Sequence, residues 1–400
     1  MQRILLFTPV IGRAGVAKVF HQHAKDFQDF AYVEEAVFSR AGYASKVYQN
    51  GVELNVIDDR IKTLSRISWL RFLQRLRALK ELVASKRFSA VIAHVDGANI
   101  MACLLPSQIK KYLVVHGTSL NKNTLSPTAR VKEYLIKKLY PKANLVVCVS
   151  EALQLETEQL YGIKNGITIR NYFDELEPNS TESDSFMRKI FNSISDEQFI
   201  LVSHGRYSQG KNLEVLLSVV RNLKSENLAV TLLLVGDGPE YKKIAKRAGE
   251  LDLVVLDFIS PKECQPHISA PDVVLTGFTK NPILFLRASH LFVMPSKWEG
   301  YPLSLCEALL CGLPVLASDC PTGPREILTR LDEDDGLPCG LMPIPEGECG
   351  ASLWSTRIKQ IMTDKRLFNE LRRRSELLGE LIKEDKTIAM QKWRHIISSQ

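Results

Sequence analysis

No apolar run in the 400 residues approaches the roughly 20 that a bilayer-crossing helix needs, so no membrane span is expected. The eight cysteines include no C-x-x-C pair and no Cys/His cluster. They fall mostly in apolar segments, as at Cys103, Cys148, Cys306 and Cys311. They read as reduced core residues of a cytoplasmic protein without a zinc site. A complete G-x-G-x-x-G is also missing, which argues against a nicotinamide or flavin site. The opening MQRILLFTPVIGRAG has too short an apolar part for a signal peptide and no small-residue cleavage site; it reads as a first strand.

What is present fits a two-domain globular α/β protein. Hydrophobic residues make up 45% and charged residues 24%, and 400 residues suit two domains of about 150 to 200 each. The net charge of +7 fits an anionic partner, whether membrane surface, nucleic acid or phosphorylated ligand, without choosing among them. Short apolar runs recur, and polar residues follow each one. Arg3–Phe7 leads to a glycine turn, Gly12-Arg13-Ala14-Gly15, and a helix start. Tyr112–Val115 leads to His116-Gly117-Thr118, Leu145–Val149 to Ser150, and Ile167–Ile169 to Arg170-Asn171-Tyr172. In a parallel sheet the C-terminal strand ends form the ligand edge. Residues 177–195 are polar, contain Pro178 and lack an apolar period, so they read as a linker. The strand–turn–helix pattern then restarts at Phe199–Val202.

Residues 62–88 are the most basic segment, with Leu64, Ile67, Leu70, Leu73, Leu76, Leu79 and Leu82 at helical spacing. This suits a crossover helix, a cationic helix lying on anionic lipid, or both. Gly205 to Lys211 matches G-x-x-x-x-G-K, but Asn212 stands where a P-loop needs Ser or Thr for magnesium. Arg206 and Lys211 beside a glycine turn still suit a diphosphate without a metal. Phe278, beyond the run Val273–Thr276, is placed to lie on a base ring or simply to fill a loop. Asp332–Asp335 is an acidic loop that reads as solvated.

The densest stretch is Pro295–Cys320, PSKWEGYPLSLCEALLCGLPVLASDC. A strand ends at Met294, Ser296–Gly300 is a loop, and Pro302 suits the first position of a helix closed by Gly312. The helix start offers backbone N–H groups at Gly300, Tyr301 and Leu303, a seat for an anion. Glu299 precedes it, and Glu307 sits within an otherwise apolar helix. A nucleotide sugar fits these features; so does a plainer pairing of a capping Glu with an ion-paired core Glu.

Taken together, HGRYSQGKN, LLLVGDGPE, VVLTGF and MPSKWEGYPLSLCEALLCGLPVLASDCPTGPREIL resemble glycosyltransferase family 4, with the E-x7-E pair at Glu299 and Glu307 intact. Gly15, VVHGT and VSEAL…IRNYFD match more loosely. The resemblance implies the GT-B fold: two Rossmann-like, doubly wound parallel-sheet domains facing each other across a cleft. It sets an acceptor-side domain at 1–176, a linker at 177–195, a nucleotide-sugar domain at 196–372, and a helical segment at 373–400 packing back on the first domain. It implies a retaining transfer of a hexose or N-acetylhexosamine, with a UDP-sugar as the expected donor. The acceptor would be a glycan or polyprenyl-linked lipid of cell-surface polysaccharide or lipopolysaccharide. Arg206 and Lys211 then hold the diphosphate, and the Gly300, Tyr301 and Leu303 amides cap its distal phosphate. Glu307 takes the ribose, Glu299 and His116 the transferred sugar, and Gly15 approaches the diphosphate. Neither metal, cofactor nor nucleic acid is expected, and the expected location is cytoplasmic, with contact of the basic helix 62–88 with the inner membrane face left open beside the crossover role. An epimerase of the same fold, a P-loop-like nucleotide switch and a non-catalytic binding module are the alternatives.

Overall fold

The computed structural model describes residues 1–10, 15–40, 51–117, 127–174, 182–260, 270–331 and 339–398. Gly12–Ala14, Thr118, Pro178 and the acidic run Asp332–Asp335 lie outside the described residues. The chain forms two compact units, Met1–Phe173 with Asp385–Gln400, and Asp174–Glu384.

Among the described residues the first unit is built on seven strands: β1 (Gln2–Thr8), β2 (Ala31–Val37), β3 (Glu53–Val56), β4 (Ala90–His94), β5 (Lys110–Val115), β6 (Leu145–Cys148) and β7 (Gly166–Thr168). Their order across the sheet is β3-β2-β1-β4-β5-β6-β7, and every pairing is parallel. The second unit has β8 (Phe199–His204), β9 (Val230–Val235), β10 (Val255–Asp257), β11 (Val273–Gly277), β12 (Leu291–Met294), β13 (Val315–Ser318) and β14 (Leu341–Met342). Each pairing between these strands is parallel too, in the order β10-β11-β9-β8-β12-β13-β14.

Parallel strands need helical crossovers, so both sheet faces are covered and the strands read as unbroken apolar runs. Ile4–Phe7, Leu232–Val235 and Leu291–Val293 are accordingly fully buried. In each sheet the chain builds outward on one side, then returns to the other. The reversal falls between β1 and β4 in the first unit and between β8 and β12 in the second. Beyond the carboxyl ends of two such strands lies the crevice where open α/β sheets take ligands.

Three expectations need correction. Within the expected linker, Glu182–Phe191 is a helix that buries Ile190 and sets Phe191 against Phe285. Its apolar face is too short to register as a period. The C-terminal residues, expected as a helical segment starting at 373, belong to one 34-residue helix, Lys365–Ser398, and the boundary between units falls inside it. The basic segment is helical only over Ser68–Ser85, and its apolar stripe divides. Ala78, Leu79, Leu82 and Val83 are buried, as the apolar face of a crossover helix should be, whereas Leu64, Ile67, Trp69 and Leu73 are exposed.

Candidate functional site

The site is assembled at the β8/β12 reversal. β8 ends at His204, and the turn beyond it lies flat on the turn that follows β9. Tyr207 N–H donates to Asp237 O (2.9 Å), and the buried Tyr207 hydroxyl donates to Leu234 O (2.6 Å). Gly236 allows this approach: its φ is +140°, and a Cβ there would lie 2.0 Å from the Gly205 carbonyl oxygen. With Tyr207 anchored inward, Arg206 stays exposed and has no ion pair among the described residues.

Lys211 closes a short 3-10 turn, Gln209–Lys211, and the long helix begins only at Glu214. Between them Asn212 adopts a left-handed φ of 51° and its side-chain amide donates to Pro345 O (3.1 Å). A P-loop lysine opens its helix with Ser or Thr next to it. This geometry is different, and the incomplete motif has no P-loop shape behind it.

Lys211 Nζ lies 2.8 Å from Glu299 Oε1, which also accepts from the Ser296 hydroxyl (2.6 Å). The loop carrying Glu299 is held from two sides. Lys297 N–H donates to Gly210 O (2.8 Å), and the Ser318 and Thr322 hydroxyls donate to the carbonyls of Ser296 and Glu299. Gly323, at φ +88°, seats its backbone against Gly300 and Pro302, where a Cβ would come within 2.7 Å of Pro302 Cδ. Cys320 sits beside this loop, but burial and the nearby Glu299 push its thiol up to about 12, so it is no nucleophile.

Pro302 is the N-cap, one place before its expected position, and the helix runs Leu303–Leu310. It ends in paired bonds from Gly312 N–H to Leu309 O (2.9 Å) and Leu313 N–H to Ala308 O (3.1 Å), a Schellman cap. No side chain caps its start, and among the described residues the Gly300 and Leu303 amides donate to nothing. Tyr301 is buried beside them. Glu307 is 3% exposed, and its Oε2 lies 2.6 Å from His204 Nε2.

Arg206, Lys211, Glu299, Gly300, Tyr301, Leu303 and Glu307 therefore all fall on the turns and helix start beyond β8 and β12. Phe278 is half-buried just past β11, two strands from β8. Gly15 and His116 belong to the first unit. Gly15 opens the helix Gly15–Asp26 that follows β1, and His116 lies just past β5. Sequence reasoning missed His204, Ser296 and Thr322. His204 stands two positions past the apolar part of its strand, after Ser203, close to the signal that singled out His116 directly after Val115.

The family comparisons agree with this geometry. Residues 13–173 match the model described as Glycosyltransferase Family 4, and residues 198–343 the one described as Glycosyl transferases group 1. The chain belongs to glycosyltransferase family 4. This family 4 chain is 25% identical over 280 residues to an uncharacterized glycosyltransferase of Methanocaldococcus jannaschii, covering 67% of the chain and 64% of the relative. It is 26% identical over 207 residues to the N-acetylgalactosamine-N,N'-diacetylbacillosaminyl-diphospho-undecaprenol 4-alpha-N-acetylgalactosaminyltransferase of Campylobacter jejuni, covering 52% of the chain and 49% of the relative. The chain thus spans about half to two-thirds of the length of these curated relatives. Its GT-B fold matches Anabaena HepE, solved with UDP and glucose, at a TM-score of 0.77 and 18% identity over the whole of both chains.

Glu307 can serve as a ribose contact or as the partner of His204 alone. Glu307→Ala is expected to weaken nucleoside diphosphate binding by about tenfold, the worth of one hydrogen bond to a charged group. Titration calorimetry checks it; an unchanged affinity would leave Glu307 as a core ion pair.

Proposed function

We propose that the chain is a retaining transferase that moves a hexose or N-acetylhexosamine from a UDP-sugar to a glycan or lipid-linked acceptor of cell-surface polysaccharide. The observation that carries the reading is Lys211, 2.8 Å from Glu299, beside the unengaged amides of Gly300 and Leu303 at the β8/β12 reversal. HepE was crystallised with UDP and glucose, and the Campylobacter relative is named for a diphospho-undecaprenol acceptor; both support the choice of ligands.

Cleaving the bond between the anomeric carbon and the diphosphate leaves negative charge on the phosphate oxygen. Arg206, Lys211 and the positive end of the helix Leu303–Leu310 stabilise that charge, the work a divalent metal does elsewhere. The acceptor hydroxyl attacks from the face the diphosphate leaves, and its proton passes to the departing phosphate. The new bond joins acceptor oxygen to anomeric carbon, and the anomeric configuration is kept. Glu299 stays tied to Lys211 and orients the sugar. Trapping a glycosyl-enzyme on Glu299 would refute this course.

Incubation with a panel of UDP- and GDP-sugars in EDTA, with lipid-linked acceptors, tests the proposal. Acceptor-dependent UDP release is expected. UDP release without transfer would favour an epimerase, and magnesium-dependent hydrolysis of ATP or GTP a nucleotide switch.

No helix among the described residues is long and apolar enough to cross a membrane. A peripheral contact is carried by the start of the basic segment, where Ile67, Trp69 and Leu73 are 53%, 63% and 51% exposed near Lys62, Arg66 and Arg71. Apolar groups entering the headgroup layer beside cations suit an anionic leaflet. Sedimentation with vesicles containing about a third phosphatidylglycerol should pull the protein down, less so as salt rises. Replacing Trp69 and Leu73 together with Ser should cut binding at least about fivefold. Equal sedimentation of that variant would count against the contact.

A further inference from the structure

The residue His116 is not alone beyond β5. His94, the last residue of β4, sets its Nδ1 2.9 Å from His116 Nε2, with the ring planes inclined at 26° and 5.1 Å between centroids. His94 is fully buried. Phe20 meets its ring edge-on at 5.3 Å, and the His23 ring lies tilted at 5.3 Å. No partner reaches His94 Nε2 among the described residues.

The backbone around this pair is held in place at a cost. Val95 sits at φ 73°, ψ 145°, where a β-branched residue is an outlier that costs about 1–3 kcal/mol. Its carbonyl accepts from the amides of Ala98 and Asn99 (3.0 Å each). The buried Asn99 side-chain amide donates to Val114 O (3.1 Å), tying the turn after β4 to the end of β5 just before His116. Asp96, next in the chain, accepts from the Tyr140 hydroxyl (2.9 Å) and pairs with Lys132 (3.0 Å). Strain kept this tightly at one turn belongs to a position that matters.

The geometry points to His94 as a positioning residue that fixes the tautomer of His116. A proton on His94 Nε2 would leave a buried N–H without an acceptor, a rarer and costlier arrangement than a bare ring lone pair. His94 therefore carries its proton on Nδ1 and donates it to His116 Nε2. His116 in turn carries its own proton on Nδ1 and presents a donor, not a lone pair, to whatever it meets. Both imidazoles are neutral in this arrangement: burial holds His116 down at about 4 and His94 well below the usual histidine range. A donor at that position suits a sugar hydroxyl oxygen. The contact to sugar rests on the proposed transferase reading, whereas the tautomer does not.

Long-range ¹⁵N–¹H correlation on the full chain with ¹⁵N-labelled histidine reads the tautomer, with His116→Gln assigning the signal. The wild type is expected to show His116 protonated at Nδ1. His94→Asn, whose amide can donate from about the same place, should keep that form. His94→Phe should let His116 revert to the Nε2–H form that imidazole prefers in water. The donor kcat/KM should fall about tenfold in His94→Phe and recover to within about threefold in His94→Asn, as for one neutral hydrogen bond. A wild-type His116 protonated at Nε2, or a tautomer unchanged in His94→Phe, overturns the proposal. So does full activity in His94→Phe. Failure of every UDP-sugar to turn over would instead sink the transferase reading and leave the tautomer result standing.

Discussion

Lys211→Ala is expected to cut use of the nucleotide sugar about ten- to a hundredfold, as kcat/KM for the donor. The substitution removes a charge-assisted contact worth roughly 1.5–3 kcal/mol. It also leaves the Glu299 carboxylate, only 12% exposed, with the Ser296 hydroxyl and no cation. An uncompensated carboxylate beside an anion seat repels a diphosphate as well as failing to hold it. Lys211→Arg should restore little, because the planar guanidinium cannot occupy the space of a compact ammonium packed over Gly205. Steady-state kinetics on the two variants check the claim; wild-type turnover in either would contradict it.

The second large effect is on acid stability. Burial lowers His23 to about 3, with the nearby His116 acting in the same direction. The folded values of His23 and, at about 4, of His116 fall below the 6.5 of an unfolded chain, so the unfolded state binds more protons as pH falls, and stability drops with pH below about 6.5. Between pH 6.5 and pH 5 the His23 term alone amounts to roughly 2 kcal/mol, a sizeable part of a typical stability of about 5–15 kcal/mol. His94 adds in the same direction. Urea unfolding at pH 7.5 and pH 5.0 should show the loss. His23→Phe, whose ring can keep the stack on Phe27 and the edge contact with Trp393, should show about 2 kcal/mol less of it. An equal loss in both proteins would mean that His23 does not titrate on unfolding.

Much of the sheet edge is legible in the sequence. In a buried parallel sheet the apolar run stops where the ligand edge starts, so His116, Arg206 and Glu299 stand out just past Val115, Val202 and Met294. The strands that escaped notice have specific reasons. β2 carries Glu34 and Glu35, both buried, which break its apolar run. Their partners lie far along the chain: Lys86 and Asn55 for Glu34, His21 for Glu35. Burial opposes ionisation of Glu34, yet bonds from Lys86 and Asn55 outweigh it and hold the carboxyl below its usual range. β10 and β14 have three and two residues, too few to show a pattern. The same limit hides His204 from Glu307, 103 positions away, and His94 from His116. Local periodicity reports which face of an element is buried, and pairings across the fold leave no mark on it. Residues 182–191 were concealed because their apolar residues, Phe186, Met187, Ile190 and Phe191, span fewer than two helical turns.

In the proposed function, the turn after β8 and the helix start after β12 grip a pyrophosphate without a metal. Titrating UDP by calorimetry in EDTA, into the wild type and into Arg206→Ala and Lys211→Ala, tests it most directly. Binding by the wild type that weakens with salt, and an affinity about ten- to a hundredfold lower in each variant, are expected. Isotherms that coincide for all three proteins, or wild-type binding that appears only when magnesium is restored, would contradict it.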